Sequence, residues 1–193
     1  NYGCGYFQVT EKDGFRCSTA VGYLNPIKKR KNLKIITNAH VKKISFENKT
    51  AKAVEFWQEN QLKKISANKE IILSSGSIGS PQILQTSGIG SYEKLKNLGI
   101  EMVHELKGVG ENLQDHLMFR PIYKIHGLRS LNKKINSPLG KLMIGLEYIF
   151  NRSGPMTMGA SQMCMFAKSD PSLDLPDLQW HVQPMSMDTL GAT

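Results

Sequence analysis

One stretch limits what this chain can fold into more than any other: residues 69–90, KEIILSSGSIGSPQILQTSGIG. Ile71, Ile72 and Leu73 form a short, nearly all-apolar run of the kind found in parallel-sheet strands covered on both faces. Gly76 then permits a sharp turn. Ser80 before Pro81 predicts a helix N-terminus, because a serine oxygen accepts an orphan amide and proline leaves no amide unpaired. The predicted helix is short, and Gly88 and Gly90 suit a left-handed exit. A strand that delivers its chain into a helix start gathers donors and positive potential at one point. Such a point suits a nucleotide, although α/β domains also use these turns for purely structural reasons.

The segments around it read as follows. After Gly3 and Gly5, residues 6–10 predict an edge strand alternating Tyr6, Gln8 and Thr10 with Phe7 and Val9, and Asp13-Gly14 is a turn signal. Ser18 can cap a short helix carrying Ala20, Val21, Tyr23 and Leu24, flanked by Pro26. Leu33, Ile35 and Thr37, then Val41, Ile44 and Phe46, then Ala53, Val54, Phe56 and Trp57, then Leu62 and Ile65 predict a meander of short strands. Its turns fall at Asn48-Lys49 and at the Gln-Glu-Asn-Gln connection of residues 58–61. His40 reads as a strand-end or surface histidine. Residues 92–98 predict an amphipathic turn or two closed by Gly99, and residues 100–106 a strand.

In the second half, residues 117–125 predict a strand at an edge or entry because of Pro121. Residues 130–137 read as a polar connection, and residues 138–150 carry Leu139, Leu142, Met143, Leu146, Ile149 and Phe150 at helical spacing. The methionines of residues 156–166 suit an irregular core, or else a pliable pocket wall. Residues 175–186 alternate Leu178, Trp180 and Val182 with Gln179, His181 and Gln183, as a half-buried strand does. Asp115 and His116 are adjacent, and neighbours on a strand point to opposite faces, so they do not read as a dyad.

Composition narrows the partners. The chain has 193 residues and a net charge of +9, and its positive residues are mostly lysine, with pairs at 28/29, 42/43, 63/64 and 133/134. Scattered lysines form a solvated surface rather than an arginine-rich stripe, so no nucleic-acid partner is expected. Three cysteines without CxxC spacing, Cys4, Cys17 and Cys164, point to neither a disulfide framework nor a zinc site. No apolar run is long enough to span a membrane, no signal peptide is visible, and a cytoplasmic location is expected.

Gly76, Ser77, Ser80, Pro81, Ile83, Leu84, Ser87, Gly88, Ile89 and Gly90, at this spacing, resemble the second signature of the glucose-methanol-choline (GMC) flavin oxidoreductases. Residues 32–56 are similar to the family's NLxVxTxAxVxxIxFExxxAxGVE segment, with Ala53 where glycine is common. Residues 108–116 resemble its GVGxNLQDH phrase, near the boundary of flavin and substrate domains. The resemblance implies an α/β (α+β) fold: a partial FAD-binding, Rossmann-like domain with a β-meander, followed by the start of a substrate-binding sheet domain. It divides the chain into a connecting segment (1–24), a second part of the FAD domain (25–116) and the beginning of the substrate domain (117–193).

The resemblance further implies FAD as cofactor, a small-molecule alcohol as substrate and an electron acceptor whose identity the residues leave open. Val41 would face the adenine through its backbone, with Ser75 and Gly76 beneath the adenosine end. Gln162 and Phe166 would meet the substrate. Choline-oxidising members carry a glutamate four residues before the aromatic that matches Phe166, and Gln162 stands there, which disfavours choline. No GxGxxG opens a first βαβ unit, and the family's catalytic histidine is expected after Thr193. These 193 residues alone are therefore expected to be an internal fragment that binds FAD weakly or not at all and turns over nothing. A flavin-dependent hydroxynitrile lyase shares the same motifs, and a nonenzymatic basic binding module is the more distant alternative.

Overall fold

A computed structural model of the chain describes residues 2–127 and 130–186. In chain order it forms β1 (Gly3–Tyr6), β2 (Glu11–Lys12) and β3 (Phe15–Arg16), then a π-helical turn (Ala20–Leu24) running into α1 (Asn25–Ile27). Next come β4 (His40–Glu47), β5 (Thr50–Gln58), β6 (Gln61–Ser66), α2 (Gly76–Thr86), β7 (Ile89–Gly90), α3 (Tyr92–Asn97) and β8 (His104–Glu105). The remainder holds α4 (Leu131–Ile135), α5 (Pro138–Asn151), a 3-10 turn (Pro155–Thr157), β9 (Met163–Ala167) and β10 (Leu178–Val182). The fold mixes helix and sheet as expected. It divides into two compact units, residues 34–119 and residues 1–33 with 120–193.

In unit 34–119, β4, β5 and β6 form an antiparallel meander in that order. Both turns have two residues in left-handed conformation, Asn48 and Lys49 at φ 48° and 65° and Glu59 and Asn60 at φ 53° and 59°. That is the turn whose twist matches paired strands. The buried apolar side chains here are Ile44, Ala53, Phe56, Leu95 and Val109. Ile44 comes from β4 and Ala53 and Phe56 from β5, so the meander supplies three of these five residues. The amphipathic α3 buries Leu95 and ends at Gly99, φ 65°, as its pattern predicts.

Helix α2 corrects the expected start. It begins at Gly76, after Ser75, so Pro81 sits inside the helix and Ser80 is not its cap. The Ser80 hydroxyl does accept an amide, that of Ser75 at 3.0 Å, from a residue upstream of the helix. Proline at this position removes one intrahelical donor and leaves the carbonyl a turn earlier without it. Gly88, at φ +86°, lies just beyond the C-cap Ser87, and its exit is the left-handed one expected.

Residues 71–73 are not a strand, and neither are residues 33–37. Strand identity needs a ladder, and no strand among the described residues pairs with either. Ile72 accordingly leaves 78% of its surface exposed. The predicted strand at 100–106 contracts to β8, which pairs in parallel with β7.

In unit 1–33 with 120–193, β9 lies between β1 and β10 in an antiparallel sheet. The edge strand predicted over residues 6–10 is not there: an edge strand lies instead at Gly3–Tyr6, and residues 7–10 are not strand. Asp13 and Gly14, both left-handed, turn β2 into β3. The Ser18 hydroxyl accepts the Val21 amide at 3.3 Å, and the helical path continues through Pro26. α5 follows its periodicity: Ser137 accepts from the Gly140 amide, Pro138 opens the helix, and Arg152 closes it in left-handed conformation. Its buried residue is Ile144.

Three expectations fail beyond residue 116. Residues 117–125 form no strand and expose Leu117, Phe119 and Tyr123. Residues 131–135 of the expected polar connection form α4. The methionines do not fill a core: Met156 is 55% exposed, and Met163 and Met165 are 36% and 38% exposed. The reason is shared with β10, all of whose side chains are exposed rather than half-buried: no second layer covers this sheet among the described residues. No described helix is long and apolar enough to cross a membrane.

Candidate functional site

The sequence singles out two groups of residues, and each falls within one unit. Val41 is the second residue of β4, half-buried and paired with Phe56. Ser75 and Gly76 form the exposed entry to α2. These elements are fastened by two hydrogen bonds from the end of α2. The Ile44 amide donates to the buried Ser87 hydroxyl at 2.8 Å, and the Thr86 hydroxyl donates to the Lys42 carbonyl at 3.0 Å.

Val41 thereby shares a recess of about 180 Å³ with Gln82, Ile83 and Thr86 of α2 and with His40 and Trp57 of the strands. Ser75 and Gly76 do not line it. They stand about two helical turns nearer the N-terminus, ~10 Å along the axis from Ile83. The structure therefore joins the three candidates through one strand and helix pair without gathering them in one pocket.

The entry to α2 can receive a polar group. No side chain caps it. Its first amides consequently point out of the helix with the positive end of the dipole. Gly76 adopts φ +83° and has nothing within 4 Å of where a Cβ would stand, so the approach is open. The Ser75 amide is committed to Ser80, which leaves Ser75 its hydroxyl. An uncapped helix start beside an open glycine fits the phosphate or ribose of a nucleotide.

Two features beside Val41 escaped the sequence reading. Ser87 supplies the buried hydroxyl that ties α2 to β4, although by residue type it looked like part of a helix exit. Trp57 stands opposite His40, with the Lys42 ammonium 5.8 Å from its ring centroid. Counting outward from the Asn48-Lys49 turn brings those strand ends together, with the bulges along the pair adjusting the count. His40 itself is exposed at the strand start, as expected.

The second group lies on β9. Phe166 is within the strand and Gln162 immediately precedes it, with the Gln162 carbonyl accepting the Phe7 amide at 3.0 Å. Gln162 stands at the bend ahead of the strand, four residues before Phe166. Asp115 and His116 form no relay in the geometry found: the Asp115 carboxylate accepts the backbone amide of His116 at 2.7 Å. No group of three or more described His, Cys, Asp or Glu residues could hold a metal ion.

Comparison with known proteins follows the same lines. Residues 1–118 match the family model described as GMC oxidoreductase. The chain is 40% identical over 192 residues to an alcohol dehydrogenase [acceptor] of Pseudomonas putida, covering 98% of this chain and 35% of that protein. It is also 40% identical to the mitochondrial choline dehydrogenase of Homo sapiens, covering 94% and 30%. The chain thus spans about a third of the length of the curated relatives it matches.

Among solved structures, an FAD-dependent oxidoreductase from Chaetomium thermophilum superposes with TM-score 0.69 at 25% identity, over 80% of this chain and 28% of that one. A formate oxidase of Aspergillus oryzae shares the fold with TM-score 0.72 at 24% identity, over 86% and 29%. The signature that opens α2, the meander ahead of it and the matched residues 1–118 agree: this chain belongs to the GMC oxidoreductase family.

Proposed function

We propose that the chain is part of an FAD-dependent oxidoreductase acting on the CH–OH group of a small alcohol, with β4 and the entry to α2 holding the adenosine end of the cofactor. The observation that carries this reading is the uncapped start of α2 at Gly76, on the helix that fastens to the strand of Val41. Val41 would meet the adenine through its backbone, which asks only for a small apolar side chain. Ser75 would offer its hydroxyl, and Gly76 would admit close approach where any side chain is strained. The bound flavin supplies the acceptor for the hydride that leaves the alcohol carbon.

Gln162 and Phe166 would face the substrate. A neutral amide at Gln162 gives no charge to balance a desolvated quaternary ammonium, so an uncharged alcohol is favoured over choline. The alcohol and choline dehydrogenases among the relatives support the reaction class.

The test is flavin content. Expressed with its flanking coding sequence, the polypeptide should copurify with FAD at about one per chain and reduce a dye when given an alcohol. Gly76→Val should lose most of the flavin, since it combines a strained φ with a side chain over the open entry. Gly99→Ala, also at positive φ beside open space, should keep it. Full flavin retention by Gly76→Val would sink the assignment.

A further inference from the structure

The end of α2 sends three side chains to three partners. Thr86 and Ser87 reach β4, and Gln85 reaches the loop after β8, where its amide donates to the Val109 carbonyl at 3.1 Å. Two glycines leave it the room. A Cβ on Gly90 would stand 3.4 Å from Gln85 Cγ, and one on Gly110, at φ +78°, would stand 2.5 Å from Gln85 Nε2. A side chain at Gly110 would therefore push the amide off its acceptor. Val109 is buried, and every residue from 110 to 127 is exposed. The Gln85 bond thus holds the last buried point of the chain before it leaves residues 34–119 for the unit that carries Gln162 and Phe166.

We propose that Gln85 is a positioning residue, through which flavin at the start of α2 fixes the course of the chain after Val109. The inference rests on the reading above that the adenosine end of FAD binds at that start. The two ends of α2 are held unequally. Residues 76–80 have no side-chain cap and an open glycine at φ +83°, and a single bond, from the Ser75 amide to the Ser80 hydroxyl, closes them. Pro81 carries no amide to bond the turn before it. The helix therefore opens from its first turns, while Gln85, Thr86 and Ser87 tie its last one. A ligand that completes the first turns suppresses that opening, and each group tied to the far end gains protection with it.

A second tie reaches the same loop, the ion pair of Lys94 on α3 with Glu111. Both side chains are exposed, so solvent leaves the pair weak and salt-sensitive. It starts from α3 and gives flavin at α2 no hold on the loop. The Gln85 amide starts from the flavin-binding helix itself.

The experiment follows amide hydrogen exchange in the polypeptide expressed with its flanking coding sequence, stripped of flavin and then given free FAD at about ten times its Kd. At that level binding suppresses the opening of α2 about tenfold. The Ile44 amide, bound to Ser87, and the Val109 and Glu111 amides, bound to the Leu106 and Gly108 carbonyls, should all slow by about that factor. Gln85→Met keeps the length of the side chain and removes its donor. In that variant Ile44 should still slow about tenfold, but Val109 and Glu111 by less than about twofold. Gly110→Ala should do the same by displacing the amide, whereas Glu111→Gln, which removes the Lys94 pair, should keep the parent response. Three results would each overturn the role of Gln85 alone: slowing of Ile44 without Val109 and Glu111 in the parent, full slowing of all three in Gln85→Met, or a response lost in Glu111→Gln. Flavin that binds and slows none of the three amides would overturn the placement of the adenosine end at α2, and this inference with it.

Discussion

The two three-stranded antiparallel sheets of this chain were specified in different ways. The meander β4-β5-β6 is drawn from contiguous residues 40–66, joined by two-residue turns, whereas β1-β9-β10 joins strands separated by most of the chain. Closing a loop of ~150 residues between β1 and β9 costs about 4 kcal/mol more in chain entropy than closing a two-residue turn. The difference in burial runs the same way. Among the described residues, five of the six buried apolar side chains, Ile44, Ala53, Phe56, Leu95 and Val109, belong to residues 34–119, and the other unit buries Ile144. Local pairing and a packed floor go together, and the unit that contains the meander should be the harder one to disturb except at its few backbone-critical positions.

The sharpest such position is Gly88. It holds φ +86°, and an added Cβ would run into the Glu101 carbonyl and stand 3.1 Å from the Val103 amide, both backbone atoms. Neither can move without breaking the junction of β7 and β8, where the Gly88 carbonyl accepts the Val103 amide at 2.8 Å. Gly88→Val should cost about 3–4 kcal/mol, from combined φ strain and overpacking. Urea unfolding followed by a probe in residues 34–119 measures it, and a cost near that of Gly99→Ala, about 1 kcal/mol, would remove the argument from backbone contact.

Its counterpart in the other unit is Gly14, at φ +75°, where a Cβ would lie 2.8 Å from the Arg152 carbonyl oxygen. The β2-β3 hairpin rests there against the end of α5, and the Arg152 guanidinium covers Phe15 at 4.6 Å and Tyr148 at 5.0 Å. Gly14→Ala should cost about 2–3 kcal/mol, less than Gly88→Val because a two-residue-per-strand hairpin can shift as a body. Thermal unfolding would show it. A loss equal to or above that of Gly88→Val would reverse the ranking of the two units.

Next comes Ser87→Ala, which strips the acceptor from the buried Ile44 amide. An orphaned buried donor costs about 1–3 kcal/mol. The same bond positions β4 against α2, so flavin affinity should fall with stability. Fluorescence titration with FAD at low denaturant separates the two, and an unchanged protein would mean that water replaces the hydroxyl.

How far this architecture could be read in advance follows from the same contrast. The Asn48-Lys49 turn and the run 58–61 located both meander turns, because turn chemistry is local. Ser137-Pro138 located the start of α5 for the same reason. Ser80-Pro81 offered an equal signal and misled, since the chain had already entered a helix at Gly76. The run 71–73 has strand composition, yet composition supplies no partner. The site divides likewise. Gly76 was legible as a turn. That Phe166 shares a face with His181 and not with Trp180 was not, because it depends on a register between strands that no nearby turn fixes.

The smallest effect tests the meander's surface. Glu55 faces Lys43 on one side and Lys64 on the other, and it accepts the Ser45 hydroxyl at 2.6 Å. The Ser45 hydrogen bond holds its carboxyl below the usual glutamate range against the opposing effect of burial, with Lys43, Lys64 and Lys42 each adding a smaller push in the same downward direction. A depressed carboxylate binds its proton more tightly in the unfolded chain, so its contribution is present above the unfolded pKa and fades as pH falls through the lower, folded one. Because the group is well solvated, that contribution is below about 1 kcal/mol and is screened by salt. Glu55→Gln should therefore lower stability slightly at pH 7 and match the parent below about pH 3. Denaturant midpoints at those two pH values decide it: an equal deficit at both would assign the effect to packing, whereas a deficit confined to neutral pH ties this strand trio together by charge as well as by its ladder.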